Sequence, residues 1–194
     1  MRMAVRMVAK MIEPQIIPII KIGTIKQFDA NDLNNLCDAT ELAIKDGIGF
    51  NWLTPPDRDV LENYWQGAMM IPQRVLIGAW LDGVLCGSIQ LLKPAKSKET
   101  SYFCANIEAH FIAPWARGHR LASQLLECAE REAAISGYTV IRLNVRSTQE
   151  RAIKLYQEHG YVEWGVLPCY EFVAGDMLAG HFFYKKIASL SVIE

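Results

Sequence analysis

Between Ile107 and Tyr161 the chain places a basic, glycine-containing turn, Arg117-Gly118-His119-Arg120-Leu121-Ala122-Ser123, ahead of one tyrosine, Tyr156. A turn of this kind, fed by a strand and opening a helix, makes an anion site. Successive backbone N–H groups point outward and the helix dipole adds positive potential. Arg117, His119 and Arg120 raise that potential further. Farther along, Gln149, Ala152 and Tyr156 stand at i, i+3 and i+7 and share one helical face. A polar residue, a small one and a phenol in a row suit a thin, extended ligand: Ala152 leaves room and Tyr156 reaches the far end. The other reading of Tyr156 is a core tyrosine closing an apolar stripe with Ile153 and Leu155. Upstream, strand alternation puts Glu108 and His110 on the same face as Ile112. They offer a carboxylate and an imidazole for proton transfer. Glu108 equally suits a structural partnership with Arg142, and His110 a satisfied place in the core.

Positioning these groups requires strands and helices in a fixed order. Residues 19–28 are β-rich and predict a first strand. Asp29 and Asn31 offer N-caps to a helix with Leu33, Leu36, Cys37 and Ala43 on its apolar face, ending near Gly47. A loop with Phe50 and Trp52 follows. Pro55-Pro56-Asp57 then opens a second helix with Val60, Leu61, Tyr64, Trp65 and Ala68 at helical spacing. Residues 74–81 and 84–92 flank Asp82-Gly83, a strong hairpin signal. Residues 93–101 read as a surface loop and 102–112 as a strand. The helix after the basic turn should run to about Ile135 and stop at Gly137. A strand over 140–146 and a helix over 149–159, capped by Gly160, come next. Two more strands are expected near 161–167 and 181–187, split by a turn around Gly175-Asp176. An antiparallel hairpin joined to β-α-β-α units implies a mixed α/β (α+β) domain.

With 194 residues, 51% of them hydrophobic, the chain suits one domain over residues 19–194 with an extension over 1–18. The extension carries Arg2, Arg6 and Lys10 with no acid until Glu13, a faint echo of a targeting segment. Glu13, Pro14 and Pro18 interrupt it, and it falls far short of the ~20 apolar residues of a membrane span. Twenty basic against 21 acidic residues give a formal charge of −1. That argues against a nucleic-acid partner. The five cysteines are odd in number and lack CxxC spacing, which disfavours a disulfide framework or a metal site and fits a reducing cytoplasm. Cys169, beside Pro168 and Tyr170 in an expected loop, is the one placed near a ligand. No membrane association is expected, and the sequence leaves room for a homodimer.

The stretch from Ile107 to Tyr161 resembles motifs A and B of the GNAT superfamily of N-acetyltransferases. Members carry Arg/Gln-x-x-Gly-x-Gly/Ala at the pyrophosphate turn, aligned with Arg117 to Ala122. They also carry an Asn-x-x-Ala-x-x-Leu-Tyr-x-x-x-Gly-Phe helix, aligned with Gln149 to Tyr161. Gly47-Ile48-Gly49-Phe50, the Asp82-Gly83 hairpin and the stretch from Leu167 through Tyr170 and Gly175 to Lys185 look like the subgroup containing tabtoxin-resistance acetyltransferases. The resemblance implies a GNAT-like single domain: a mixed, mostly antiparallel central sheet of about six to seven strands with helices on both faces. It also implies acetyl-CoA as co-substrate without a metal. The acetyl group would go to a primary amine of a small molecule or amino acid. Alternatives are a protein or peptide acceptor, or a non-catalytic acyl-CoA-binding domain.

Residue by residue, the resemblance puts Phe111, Ile112 and Ala113 along the pantetheine arm and Arg117 to Ser123 around the pyrophosphate. Asn144, Gln149, Ala152 and Tyr156 complete the cofactor side. Three departures stand out. Arg120 replaces a motif glycine that allows close backbone approach to phosphate. Gln149 replaces asparagine. Leu143-Asn144-Val145 replaces the subgroup's Leu-Asp-Thr, which removes a carboxylate. Acetyl transfer from a thioester to an amine of pKa about 10.4 needs a base or a desolvating pocket. A backbone N–H of the strand ending at Ile112 would meet the tetrahedral oxyanion. Tyr156 is the acid, and since its phenol is about 1.5 pKa units less acidic than a cysteine-like thiol, it would act mainly by hydrogen bonding to sulfur. Glu108 is the candidate base ahead of His110; Glu108 could equally hold the substrate ammonium, or an ordered water could relay the proton. Trp52, Tyr64, Trp65 and Tyr170 are candidates for walls of the acceptor pocket.

Overall fold

The computed structural model describes residues 17–47, 50–95 and 97–187. The extension over residues 1–18 lies almost wholly outside them, as do Ile48 and Gly49. Seven strands and four α-helices follow in the order β1 (Ile20–Thr24), α1 (Ala30–Lys45), α2 (Arg58–Met70), β2 (Arg74–Leu81), β3 (Val84–Leu92), β4 (Cys104–Ile112), α3 (Leu121–Ile135), β5 (Val140–Arg146), α4 (Glu150–Glu158), β6 (Val162–Val173) and β7 (Asp176–Lys186). The strands form one sheet in the order β1-β2-β3-β4-β5-β7-β6. Every pairing is antiparallel except β4 with β5. The mixed, mostly antiparallel sheet and its helices match the expected fold class.

Local chemistry sets most boundaries. The Asp29 carboxylate accepts from the Asp32 N–H at 2.7 Å and caps α1, satisfying one of the amides a helix start leaves over. Leu36, Cys37, Ala39, Ala43 and Ile44 then face the core. Helix α2 buries Leu61, Trp65 and Ala68, whereas Val60 is 41% exposed, so its apolar face is narrower than expected. The Trp65 indole donates to Thr40 Oγ1 at 3.1 Å and links α2 to α1. Asp82 (φ 50°) and Gly83 (φ 83°) both take left-handed conformations, the geometry whose twist matches a two-residue hairpin. The Asp82 carboxylate also accepts from Ile19 N–H at 2.8 Å, tying β1 to that turn.

Helices α1 and α2 cover one face of the sheet. Phe111 of β4 packs on that side, its ring 4.9 Å from Phe50 and 6.1 Å from Trp65. Helices α3 and α4 lie on the other face. There Lys185 of β7 donates to Glu130 of α3 at 2.7 Å, and Tyr156 of α4 packs against Phe183.

Three features depart from the expected picture. Strands β6 and β7 are much longer than predicted and meet at Ala174-Gly175. Strand β6 is a mostly exposed edge strand whose register slips between Glu163 and Gly165 and again between Leu167 and Glu171, which hides its alternation. Cys169 therefore lies on a strand, in the second irregularity, and is exposed. In β4, Ala109 takes a φ of 46° and the register against β3 shifts between Ser88 and Gln90. Two residues of β4, Ala109 and His110, stand opposite one of β3, a β-bulge. Finally, β4 and β5 pair only from Cys104–Asn106 to Val140–Arg142 and then diverge.

Candidate functional site

That divergence opens a cleft of about 1020 Å³. Along β4 from Ile107 onward, one backbone edge pairs with β3 while the other faces the gap. Phe111 and Ile112 line the cleft. Ala113 does not: it is fully buried, and its N–H donates to the Cys86 carbonyl at 2.8 Å.

At one end of the gap the chain turns through Gly118 (φ 90°) and Arg120 (φ 57°) into α3. The left-handed conformation at Arg120 costs a non-glycine residue about 1 kcal/mol, and the side chain stays exposed at the cleft. The bond from Gln124 N–H to the Arg120 carbonyl, 3.1 Å, opens the helical ladder. The N–H groups of Leu121, Ala122 and Ser123 therefore precede it, and all three residues line the cleft. Arg117 pairs with Asp46 at 2.7 Å, while its Nη2 is buried with no partner among the described residues. His119 is exposed and outside the lining.

From the opposite wall Ala152 and Tyr156 of α4, and Gln149 at its N-cap, line the cleft together. Tyr156 is buried in the core and also lines the cleft. The ring is core, packed on Tyr161 and Phe183, and the hydroxyl lies 3.1 Å from Nδ1 of His110. The other ring nitrogen of His110 is 3.1 Å from the Ala122 carbonyl. Burial pushes the Tyr156 phenol well above its ordinary range and His110 down to about 4.

Glu108 and His110 do not share a face. The bulge at Ala109 rotates the strand between them, sending His110 to α3 and α4 and Glu108 to the α2 side. There Glu108 lies 3.5 Å from Arg74 rather than pairing with Arg142. Arg74 also donates to buried Gln90, whose amide donates to the Tyr64 hydroxyl at 3.3 Å.

Sequence reasoning missed Arg74 and Gln90. Gln90 carried a signal, as a polar residue inside an apolar strand. Opposite them the Tyr170 hydroxyl donates to Asn144 Oδ1 at 2.7 Å, and Arg146 pairs with Glu171 at 3.2 Å. The Gly47 carbonyl accepts from both Arg146 Nη2 (3.1 Å) and Gln149 Nε2 (2.7 Å), which ties the α1–α2 connection to the cleft. Of the expected aromatic walls, Tyr64 and Tyr170 line the cleft. Trp65 is wholly core, and Trp52 stands behind Tyr64 at 5.3 Å. Among the described residues no group of three or more His, Cys, Asp or Glu side chains is placed to hold a metal ion, and no helix is long and apolar enough to cross a membrane.

Residues 37–161 match the acetyltransferase (GNAT) family. A relative described as an uncharacterized N-acetyltransferase in the hisH-hisA intergenic region of Azospirillum brasilense is 44% identical over 135 residues, 70% of this chain and 79% of that protein. Among solved structures, an N-acetyltransferase from Staphylococcus aureus Mu50 superposes with a TM-score of 0.72 at 20% identity, over 87% of this chain and 98% of that one. The ribosomal-protein-alanine N-acetyltransferase from Brucella melitensis does so with 0.71 at 18% identity, over 87% and 99%. At such identities the structural likeness speaks for the fold.

Proposed function

Because the chain belongs to the acetyltransferase (GNAT) family, we propose that it transfers the acetyl group of acetyl-CoA to a primary amine of a small molecule or amino acid. The observation that carries this reading is a single cleft with two chemically different ends. At one end are the amides of the α3 start and a buried guanidinium nitrogen of Arg117 that has no partner among the described residues. These fit a pyrophosphate. The free edge of β4 at Phe111 and Ile112 fits the amide-bearing arm. Gln149 and Ala152 leave it a polar, unobstructed wall. Acetyl-CoA supplies the acetyl group as a thioester and carries the leaving thiol.

The other end suits a small amine. It is walled by Tyr64 and Tyr170, carries the carboxylate of Glu108, and is bounded by a connection tied down at Gly47. In this reading Glu108 receives the incoming ammonium or takes its proton, and Asn144 and Tyr170 orient it. Tyr156 hydrogen-bonds to the departing sulfur. The cytoplasm is the proposed place of action, in keeping with five cysteines that form no disulfide.

The test is free-thiol release from acetyl-CoA across small amines, amino acids and peptides. Turnover on small amines or amino acids is expected. Turnover on peptides alone overturns the acceptor class, and coenzyme A binding without any turnover overturns catalysis.

The phosphate end gives its own prediction. Any anion held by Arg117 competes with Asp46. A partly exposed pair of this kind is worth at most about 1 kcal/mol, so Asp46→Asn should tighten coenzyme A binding by up to roughly fivefold in calorimetry. Weaker binding would mean that Asp46 holds Arg117 in its working position.

A further inference from the structure

We propose that His110 is a positioning residue for Tyr156: it takes the phenol's O–H hydrogen bond and so turns an oxygen lone pair, rather than a proton, toward the cleft. The inference rests on Tyr156 acting at the reacting atoms, as proposed above.

The direction of both hydrogen bonds follows from one group that has no proton to give. The Ala122 carbonyl can only accept, so His110 Nε2, 3.1 Å away, donates and carries the ring hydrogen. In a neutral imidazole Nδ1 is then bare and must accept, so Tyr156 O–H donates to it across 3.1 Å. The low proton affinity of the buried ring agrees with the neutral form. The bulge at Ala109 creates the contact, since without the extra residue His110 would share the face of Glu108.

This arrangement has a chemical use. A phenol donating into the cleft would bind the lone pair of the incoming amine and blunt it as a nucleophile. A phenol oxygen offering its lone pair instead accepts an N–H of that amine. A thiolate is a stronger acceptor than a neutral imidazole. The O–H therefore leaves Nδ1 only once charge appears on sulfur. That hydrogen bond passes into transfer only as the phenol recovers a proton. In one step it gives its own to sulfur, breaking O–H and forming S–H, and takes one from the acetylated nitrogen, breaking N–H and forming O–H, so that no phenolate forms. The amine proton ends on the thiol, and His110 is unchanged. Ala122 belongs to the first turn of α3, so the same chain of bonds runs from the phosphate end to the phenol.

The test is a set of His110 variants measured by thiol release and by thermal unfolding. His110→Leu should lower kcat roughly tenfold, as for one lost hydrogen bond, with KM for acetyl-CoA changed by less than about twofold. His110→Asn keeps an acceptor near the Nδ1 position and should restore most of the loss. His110→Gln, which reaches toward Ala122 instead, should not. In a Tyr156→Phe background His110→Leu should have no further effect on kcat. Multiplying effects in the double variant, or rescue by Gln in place of Asn, would overturn the positioning role while leaving Tyr156 its own. Wild-type kcat in Tyr156→Phe would instead remove the role of Tyr156, and that of His110 with it. If His110→Leu does not fold, the contrast between Asn and Gln decides.

Discussion

Replacing Tyr156 by Phe is expected to lower kcat by about 10² and to leave KM for acetyl-CoA within about twofold. The ring contacts with Tyr161 and Phe183 survive the change, so the loss reports the hydroxyl alone. The low end of the range for general acids applies for two reasons. A free phenol is already about 1.5 pKa units less acidic than a cysteine-like thiol, roughly 2 kcal/mol uphill for full transfer, and burial widens that gap for Tyr156. Thiolates also leave tolerably well without help.

Burial raises the Tyr156 pKa, so its protonated form persists to higher pH than that of an exposed tyrosine. The pH–rate profile should therefore lack the alkaline fall near about pH 10 that an exposed tyrosine acid would give. Its acidic limb, set by ionisation of the amine acceptor, should remain in the variant. Initial rates of thiol release between pH 6 and 10 (roughly the span separating histidine from amine ionisation) check both points. An unchanged kcat would mean that water protonates the sulfur.

Gly87→Ala should be the most damaging small substitution. A Cβ there would lie 2.5 Å from the Phe111 carbonyl oxygen, 2.6 Å from Ile112 Cδ1 and 3.0 Å from Ile112 Cα. Two of these three are backbone atoms, which cannot swing aside. Gly87 pairs directly with Ile112, and next to it the Cys86 carbonyl accepts from Ala113 N–H. The end of β4 must therefore move away from β3. Overpacking of this kind costs about 1–3 kcal/mol, and a clash with backbone belongs at the upper end. The displaced strand is the one whose free edge lines the cleft, so coenzyme A affinity should fall along with stability. Urea unfolding and calorimetric titration measure the two effects. Gly23→Ala is the control, because its Cβ meets nothing within 4 Å. Equal stability of the two variants would show that β3 and β4 have slack here.

The parts of this protein that local chemistry dictates were legible in its sequence. Asp29 caps a helix, Asp82-Gly83 turns a hairpin, and Gln149, Ala152 and Tyr156 share a face because helices have a fixed period. The facing of Glu108 and His110 was not legible, because strand alternation holds only while the register does. The bulge sits on Ala109, and alanine gives none of the signal that glycine or asparagine would give at a φ of 46°. The proposed acceptor end was obscure for a different reason. Tyr64, Arg74, Glu108, Asn144 and Tyr170 come from α2, β2, β4, β5 and β6, and only the sheet order brings them together. Tyr170 reaches Asn144 because the irregular stretch of β6 lays its ring on Gly180, where a Cβ would come within 2.3 Å. Nothing near either residue announces that pairing.

The short pairing of β4 with β5 bears on how such a protein changes over generations. In the reading proposed above, the gap it leaves would meet the acetyl donor mostly with main chain: a strand edge, a turn and the start of a helix. The amine would meet side chains, supplied by other elements. A lineage can exchange those side chains one at a time and acquire a new acceptor, while the donor's half stays indifferent to the substitutions. In that reading, donor binding and acceptor selectivity are inherited on separate parts of one small domain.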